Sequence, residues 1–191
     1  MSSVDFSLEI IFKNPLHAAT ILNALDNFKN KVNWLTYKTD PMVQDTIEVL
    51  RTLGIDGTAM LTKHGDFHIE ELYIQDGVFH VSVTHGKSNG FAVFFDWFKC
   101  LTQMDVEYIW GDAVYELDGA QAIVCSLGED IYQFWDSDCN SHPVDDKIRQ
   151  HVPSGELTRD VFFTLCREGK VRKVTPNNDN DVQTDYPSFY L

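Results

Sequence analysis

The sequence predicts an α+β fold: a mainly antiparallel sheet of β-hairpins and a meander, with about five helices around it. Two Asp-Gly pairs, at 76–77 and 118–119, each separate two β-rich runs, as the two-residue turn of a hairpin does. Between the hairpins, Gly90 to Met104 has a helical pattern that is rich in aromatic residues and apolar on most of its circumference. Such a helix is either sandwiched between layers of its own domain or covered by another chain. We expect the sandwich, with the helix central to the core.

The N-terminal part predicts a strand, a helix, a second strand and a second helix. Val4 to Lys13 alternates apolar and polar side chains, which is typical of a half-buried strand. Asn14-Pro15 then supplies a helix cap and a proline for the first turn. Val32 to Tyr37 resembles a second strand. Asp40-Pro41 repeats the signal for a helix start, and Gly54 is placed to end that helix.

The first hairpin is predicted to turn at Asp76-Gly77. The alternation of apolar residues slips at Glu70-Glu71, and a β-bulge there returns Phe67 and Ile69 to the apolar face. The cross-strand pairs predicted on that face are Ile74 with Phe79 and Leu72 with Val81.

The second hairpin is predicted to turn at Asp118-Gly119 and to begin a meander. A two-residue turn there sends Glu116 to the face opposite its neighbours. The strand Ile131 to Trp135 continues the meander after a turn at 128–130. The apolar side chains predicted to share a face across this hairpin are Tyr115 and Leu117 with Ala122 and Ala120.

Two helices and a tail complete the chain. Pro143 to Val152 predicts a short helix, and Leu157 to Glu168 predicts another that Gly169 ends. Residues 175–191 change to a polar tether, rich in Asn and Asp, with an aromatic C-terminal end. We therefore predict a single α+β domain over residues 1–174, followed by this tether.

Net charge is the strongest global signal in the sequence. The chain has 29 acidic and 15 basic residues, which gives a formal net charge of −14 at pH 7. Nucleic-acid binding depends on a basic surface that displaces counterions from phosphates, so we predict no direct binding to DNA or RNA. A negative field accelerates encounter with positively charged proteins, and the charge therefore favours a basic protein partner. The alternative is that the acidic charge serves solubility alone, as it does in many cytoplasmic proteins.

The cysteine spacing and the N-terminus predict a cytoplasmic protein. Asp5 and Glu9 interrupt any signal segment, and no run of about 18 apolar residues occurs, so we expect no membrane association. The cysteines form no Cys-x-x-Cys pair, and we expect buried free thiols in a reducing compartment. The four cysteines are Cys100, Cys125, Cys139 and Cys166.

No group of residues has the complete spacing of a metal or cofactor site. Four histidines lie in or beside the first hairpin, in a turn and strands rather than on one helix face, so we expect them to face solvent. Asp136 to Asn140 begins like a calcium loop, but Ser141 stands where the loop needs glycine and Lys147 where it needs glutamate. We therefore predict neither a metal nor a cofactor. The potential ligands are His64, His68, His80 and His85 for zinc, and Asp136, Asp138, Asn140, Asp145 and Asp146 for calcium.

Signals for catalysis are equally incomplete. Val124 to Gly128, which contains Cys125 and Ser126, is half of a nucleophile elbow, without its first glycine and without a helix after it. Neither of the glycine-rich phosphate-binding patterns occurs. A hydrolase or transferase with an Asp, Glu and His cleft that only the fold assembles is the alternative to a binding role.

The predicted binding site combines carboxylates with aromatic side chains near the second meander. Aromatic rings anchor protein interfaces and carboxylates steer association, although the same rings also fill cores, with the acids at their rim. The rings in question are those of Tyr108, Trp110, Tyr132 and Trp135. The predicted partner-binding residues are Asp112, Glu116, Asp118, Glu129, Asp130, Trp135, Asp136 and Asp138.

The leading functional prediction is a small acidic cytoplasmic binding protein that neutralises or regulates a basic partner, as an immunity protein or antitoxin does. A DNA mimic that inhibits a nucleic-acid-binding enzyme has the same electrostatics. A structural or assembly component is a further alternative.

Overall fold

The computed structural model describes residues 3–29, 40–63, 67–86, 90–117, 119, 121–136 and 157–174. It contains a seven-stranded sheet in the order β2-β3-β1-β4-β5-β6-β7, in which every neighbouring pair is antiparallel. The strands are β1 Val4–Phe12, β2 Phe67–Gln75, β3 Val78–His85, β4 Val106–Tyr115, β5 Gln121–Leu127, β6 Asp130–Asp136 and β7 Arg172–Val174. The described helices are α1 Pro15–Asp26, α2 Pro41–Thr52, α3 Gly57–Leu61, α4 Gly90–Thr102 and α5 Arg159–Arg167.

The helices pack on both faces of the sheet, and the predicted α+β class is confirmed. Helices α1 and α4 pack against one face, which we call the helix-rich face, and α2 and α3 pack on these two helices. Residues of all four helices belong to the larger hydrophobic core. Helix α5 packs against the other face, over a second and smaller core. Strand β1 shows how the sequence produces this arrangement, because its residues alternate between buried side chains on the helix-rich face and more exposed ones on the other.

The predicted helix starts at Asn14 and Asp40 are confirmed by their caps. The Asn14 side chain accepts a hydrogen bond from the Leu16 backbone N–H at 3.1 Å. The Asp40 carboxylate accepts one from the Met42 backbone N–H at 2.9 Å. Each satisfies a backbone donor that the first turn of a helix leaves free.

The first hairpin has the predicted register. Ile74 lies opposite Phe79 and Leu72 opposite Val81, and the ladder shifts between Ile69 and Glu71, where the bulge was expected. Both turn residues, Asp76 and Gly77, have positive φ, as a two-residue turn of this type requires.

The second hairpin differs from the prediction, because the two-residue turn at Asp118-Gly119 is wrong. Strand β4 ends at Tyr115 and β5 begins at Gln121. Ala122 lies opposite Ala113, whereas the predicted turn places it opposite Tyr115. Leu117 is not buried across from the alanines but is 72% exposed. The sheet register follows the burial of Ala113 and Ala122 on the helix-rich face, and this packing outweighs the local turn preference.

Helix α4 is central to the core, as its apolar pattern predicts. Nine of its 13 residues are buried. On the sheet side, the Phe94 ring lies 5.5 Å from that of Phe6. The helix also contacts α3, where the Trp97 indole N–H donates to the backbone oxygen of Met60 at 2.8 Å. The helix is therefore sandwiched between the sheet and another helix.

Later elements of the prediction are confirmed or lie outside the described residues. Strand β6 and helix α5 lie where a strand and a helix were predicted. The predicted strand over 32–37, the helix over 143–152 and the tether over 175–191 fall outside the described residues. Among the described helices, none combines the length and the apolar character that a membrane span needs.

Candidate functional site

The face of the sheet that carries α5 has two regions: an apolar one under α5 and a polar one on strands β1 and β3. Under α5, the Phe162 ring lies 5.2 Å from Trp110 and 6.4 Å from Phe134, measured between ring centroids. Strands β1 and β3 instead present mainly polar residues on this face, including Ser7, Glu9 and His80. The border between these two regions is where charged groups from different elements meet.

Arg159, the first residue of α5, ties the helix to this border. Its Nη1 donates to the Glu9 carboxylate at 2.7 Å and to the Tyr108 hydroxyl oxygen at 2.9 Å. The guanidinium also lies 5.6 Å from the centroid of the Tyr108 ring. Burial raises the pKa of the Tyr108 phenol, so the ring is neutral at pH 7 and its oxygen serves as an acceptor. These bonds fix the start of α5 on β1 and β4.

Replacing Arg159 with methionine keeps the aliphatic stem but removes both bonds. We expect the free energy of unfolding to fall by about 1 kcal/mol, because the half-buried Glu9 carboxylate loses its cation. Urea denaturation measures this change. The matched control is Arg51→Met, since Arg51 pairs with Glu48 within α2 and its side chain is 73% exposed. Equal losses in the two variants would show that Arg159 does not anchor α5.

Two carboxylate and imidazole pairs among the described residues lack the hydrogen bond that an acid–base pair needs. His80 Nδ1 lies 3.8 Å from a Glu9 oxygen, beyond hydrogen-bond distance, and the imidazole stacks on the Tyr73 ring at 4.7 Å. The other Glu9 oxygen accepts from Arg159. His68 is similarly 3.7 Å from Glu70 on the same strand. Both pairs lie on strands of the sheet, and neither lines the grooves described below.

The expectation that the hairpin histidines face solvent is partly wrong. His85 is fully buried on the helix-rich face, because the strand alternation places it in line with Val83 and Val81. His68 and His80 are half-buried, with side chains 31% and 22% exposed. His64 lies outside the described residues. Within the described part of the chain, no three His, Cys, Asp or Glu residues gather closely enough to hold a metal.

Cys125 is unsuited to act as a nucleophile on a substrate. It is fully buried under α5, and its pKa is raised, first by a hydrogen bond with Cys166 and then by desolvation. Cys100 and Cys166 are also buried free thiols, as predicted, and Cys139 lies outside the described residues.

Two grooves lined by described residues lie among the helices, away from the predicted site. One of about 590 Å³ lies between α2 and α3 and contains Asp56 and Lys63. The other, of about 460 Å³, lies between α1 and α2 and contains Asp45. Each is lined by one carboxylate and no histidine, so neither assembles the Asp, Glu and His cleft of the enzymatic alternative.

The predicted partner-binding acids lie at two opposite ends of the sheet. Glu116 follows β4, whereas Glu129 and Asp130 lie at the turn between β5 and β6. Strand β5 has seven residues and separates the two ends by about 20 Å. The backbone of Asp136 lies opposite Gln121, at the same end as Glu116, and Trp135 precedes it in β6. Asp118 and Asp138 lie outside the described residues.

The end near Glu116 carries carboxylates beside exposed apolar side chains. Val114 is 38% exposed and lies opposite Asp5, and Leu117 is 72% exposed after the end of β4. Asp112 lies two residues before Val114 on the same face of β4. We call this group the acidic tip: Asp5, Asp112, Val114, Glu116 and Leu117.

Each carboxylate of the acidic tip accepts a hydrogen bond from a neutral donor. The Ser3 hydroxyl donates to Glu116 at 2.7 Å, and the Thr84 hydroxyl donates to Asp5 at 2.8 Å. The Gln121 amide donates to Asp112 at 2.8 Å. Hydroxyl and amide donors orient a carboxylate without neutralising its charge.

The opposite end is electrostatically different. The Asp130 carboxylate lies 2.5 Å from the Lys173 ammonium, and Asp105 lies 2.7 Å from that of Lys13. Among the described residues, no lysine or arginine bridges Asp5 or Glu116 in this way. Asp5 and Glu116 therefore keep more of their negative charge than Asp130 and Asp105 do.

The aromatic residues expected to act as anchors lie mostly in the core. Trp110 is buried under α5, and Tyr108 and Tyr132 pack against the same cluster. Sequence reasoning missed the apolar part of the acidic tip, because Leu117 was assigned to a strand face. The sequence does contain a signal for this exposure, because Leu117 lies next to the turn that contains Gly119. A connection longer than two residues places Leu117 in the loop, where it is exposed.

Comparison with protein families, with curated proteins and with solved structures finds no match to this chain.

Proposed function

We propose that the protein is a small acidic binding protein of the cytoplasm that neutralises or regulates a basic protein partner, and that the acidic tip is its contact surface. The observation that carries this proposal is Leu117, a large apolar side chain 72% exposed beside carboxylates. An exposed leucine alone is common on protein surfaces, but one flanked by ordered charges provides an anchor and a steering field together.

The charge distribution supports a basic partner. Thr84 orients Asp5 and Ser3 orients Glu116, and both carboxylates keep their charge in a chain whose net charge is already −14. Such a surface attracts cationic proteins and repels acidic ones. A partner that binds nucleic acid is one kind of basic protein, and the inhibitor role of a DNA mimic is included in this proposal.

The two ends of the sheet allow an internally controlled experiment. After a partner is isolated from the native host, association is measured with a tip variant, Asp5→Asn, Asp112→Asn and Glu116→Gln. We expect association to slow by about tenfold at low salt, because three steering charges are lost. The matched control is Glu129→Gln with Asp130→Asn at the opposite end, which we expect to leave the association rate within about twofold of the unchanged protein.

The apolar part of the tip is tested separately. Leu117→Ala removes the anchor without changing charge, and we expect dissociation to accelerate by about tenfold or more while association is preserved. An acidic partner, or equal effects of the tip and control variants, would show that the acidic tip is not the binding surface.

A further inference from the structure

Two cysteines that are distant in the sequence meet between α5 and the sheet. Cys125 lies in β5 and Cys166 in α5, 41 residues apart, and their Sγ atoms are 3.9 Å from each other. Both side chains are buried, at 0% and 2% exposure. This juxtaposition is separate from the acidic tip, and neither cysteine takes part in the proposed binding function.

The two sulfurs are within reach of a covalent bond. A disulfide has an S–S distance of about 2.05 Å, so the sulfurs must approach by about 1.9 Å. Rotation of a cysteine side chain from one staggered rotamer to another moves its sulfur by about 3 Å. A side-chain rotation is therefore large enough to cover the distance between the two sulfurs.

We propose that Cys125 and Cys166 form a dithiol site that a hydroperoxide oxidises to an intramolecular disulfide, which locks α5 onto the sheet. The thiolate of one cysteine attacks the peroxide, the O–O bond breaks, and a sulfenic acid forms with release of one alcohol or water molecule. The second thiol then attacks the sulfenic sulfur, the S–O bond breaks, and water leaves. The two sulfurs together give up two electrons, which reduce the O–O bond.

Burial makes this site slow to react. The hydrogen bond with Cys166 and the loss of solvation both raise the pKa of Cys125, so the reactive thiolate is scarce at neutral pH. The pair lies between the sheet and α5, which carries Cys166, and the oxidant reaches it when this helix opens locally. Cys100 provides an internal reference, because it is buried in α4, where desolvation raises its pKa to about 12, and its Sγ contacts a backbone oxygen of Asp56 at 3.5 Å.

The experiment uses the full chain treated with hydrogen peroxide and then with an alkylating reagent. Peptide mapping by mass spectrometry without reduction is expected to show a peptide that links Cys125 to Cys166 and lacks two hydrogen atoms, while Cys100 is recovered alkylated after unfolding. If α5 opening limits the reaction, Arg159→Met should raise the rate of disulfide formation severalfold. The Cys100→Ser and Cys139→Ser double variant should form the same link.

Two outcomes overturn the proposal. One is recovery of Cys125 and Cys166 as free thiols under conditions that oxidise the chain unfolded in urea. The other is a disulfide in which Cys139 or Cys100 replaces either member of the pair. Because the decisive measurement is made on the unchanged protein, it does not depend on whether a variant folds.

Discussion

Replacing Gly90 with alanine is expected to lower the free energy of unfolding by about 3 kcal/mol. A Cβ atom at this position would lie 2.3 Å from Cβ of Val4 and 2.7 Å from its Cγ2. The Val4 Cβ is bonded directly to the backbone and cannot rotate away, so either β1 or α4 must move. Intrinsic helix propensity predicts the opposite sign, since alanine favours a helix over glycine by about 1 kcal/mol.

Urea denaturation of Gly90→Ala decides between these two effects. The matched control is Gly86→Ala, because a Cβ at Gly86 meets no atom within 4 Å. The control is expected to change the free energy of unfolding by less than about 0.5 kcal/mol. If Gly90→Ala is as stable as the unchanged protein, the close packing of α4 against β1 is wrong.

Local signals in the sequence were sufficient for much of the fold. The first hairpin was predicted to the residue, because Asp76-Gly77 supplies the positive φ values that its turn needs and the bulge follows from the broken alternation. The helix starts at Asn14 and Asp40 follow from the same kind of local chemistry. Each of these features depends on residues that are close in the sequence.

The second hairpin was predicted less well because its register depends on distant residues. Gly111 leaves room for the Phe94 ring, where a Cβ would lie 2.8 Å from Phe94 Cε2, and Ala113 is buried beside it. These contacts with α4 and β1 fix which residues of β4 face the core, whatever turn residues follow. The burial of His85 has a similar origin, since strand parity places it in the core although its side chain is polar.

In the candidate site, too, some features follow from the sequence and others depend on contacts between distant residues. Net charge predicted an acidic surface, but the position of each acid depends on topology. Consecutive turns of a meander lie at opposite ends of the sheet, so Glu116 and Glu129 could have been separated from the sequence alone. The contact between Glu9 and Arg159 joins residues 150 positions apart, and that between Cys125 and Cys166 crosses two layers. No local pattern encodes such contacts.

Truncating Phe162 to alanine is expected to release α5 while the rest of the sheet keeps its structure. Phe162 is fully buried between Trp110 and Phe134, in a core separate from the one beneath α1 to α4. Removing a buried phenylalanine costs about 3–5 kcal/mol, and here the loss falls on the smaller core. Hydrogen exchange should show strongly reduced protection for the α5 amides, with the β1 and β3 amides much less affected.

Phe94→Ala provides the matched comparison, because Phe94 is also fully buried but belongs to the larger core. Its truncation removes packing against Phe6 and Phe95, so protection should fall in β1 and α4. Protection of α5 should fall with them, because α5 packs on the same sheet. The contrast between the two variants tests whether the two faces of the sheet open independently. If Phe162→Ala lowers protection in β1 and α4 as much as in α5, the two cores form one cooperative unit, and local opening of α5 cannot admit an oxidant to Cys125 and Cys166.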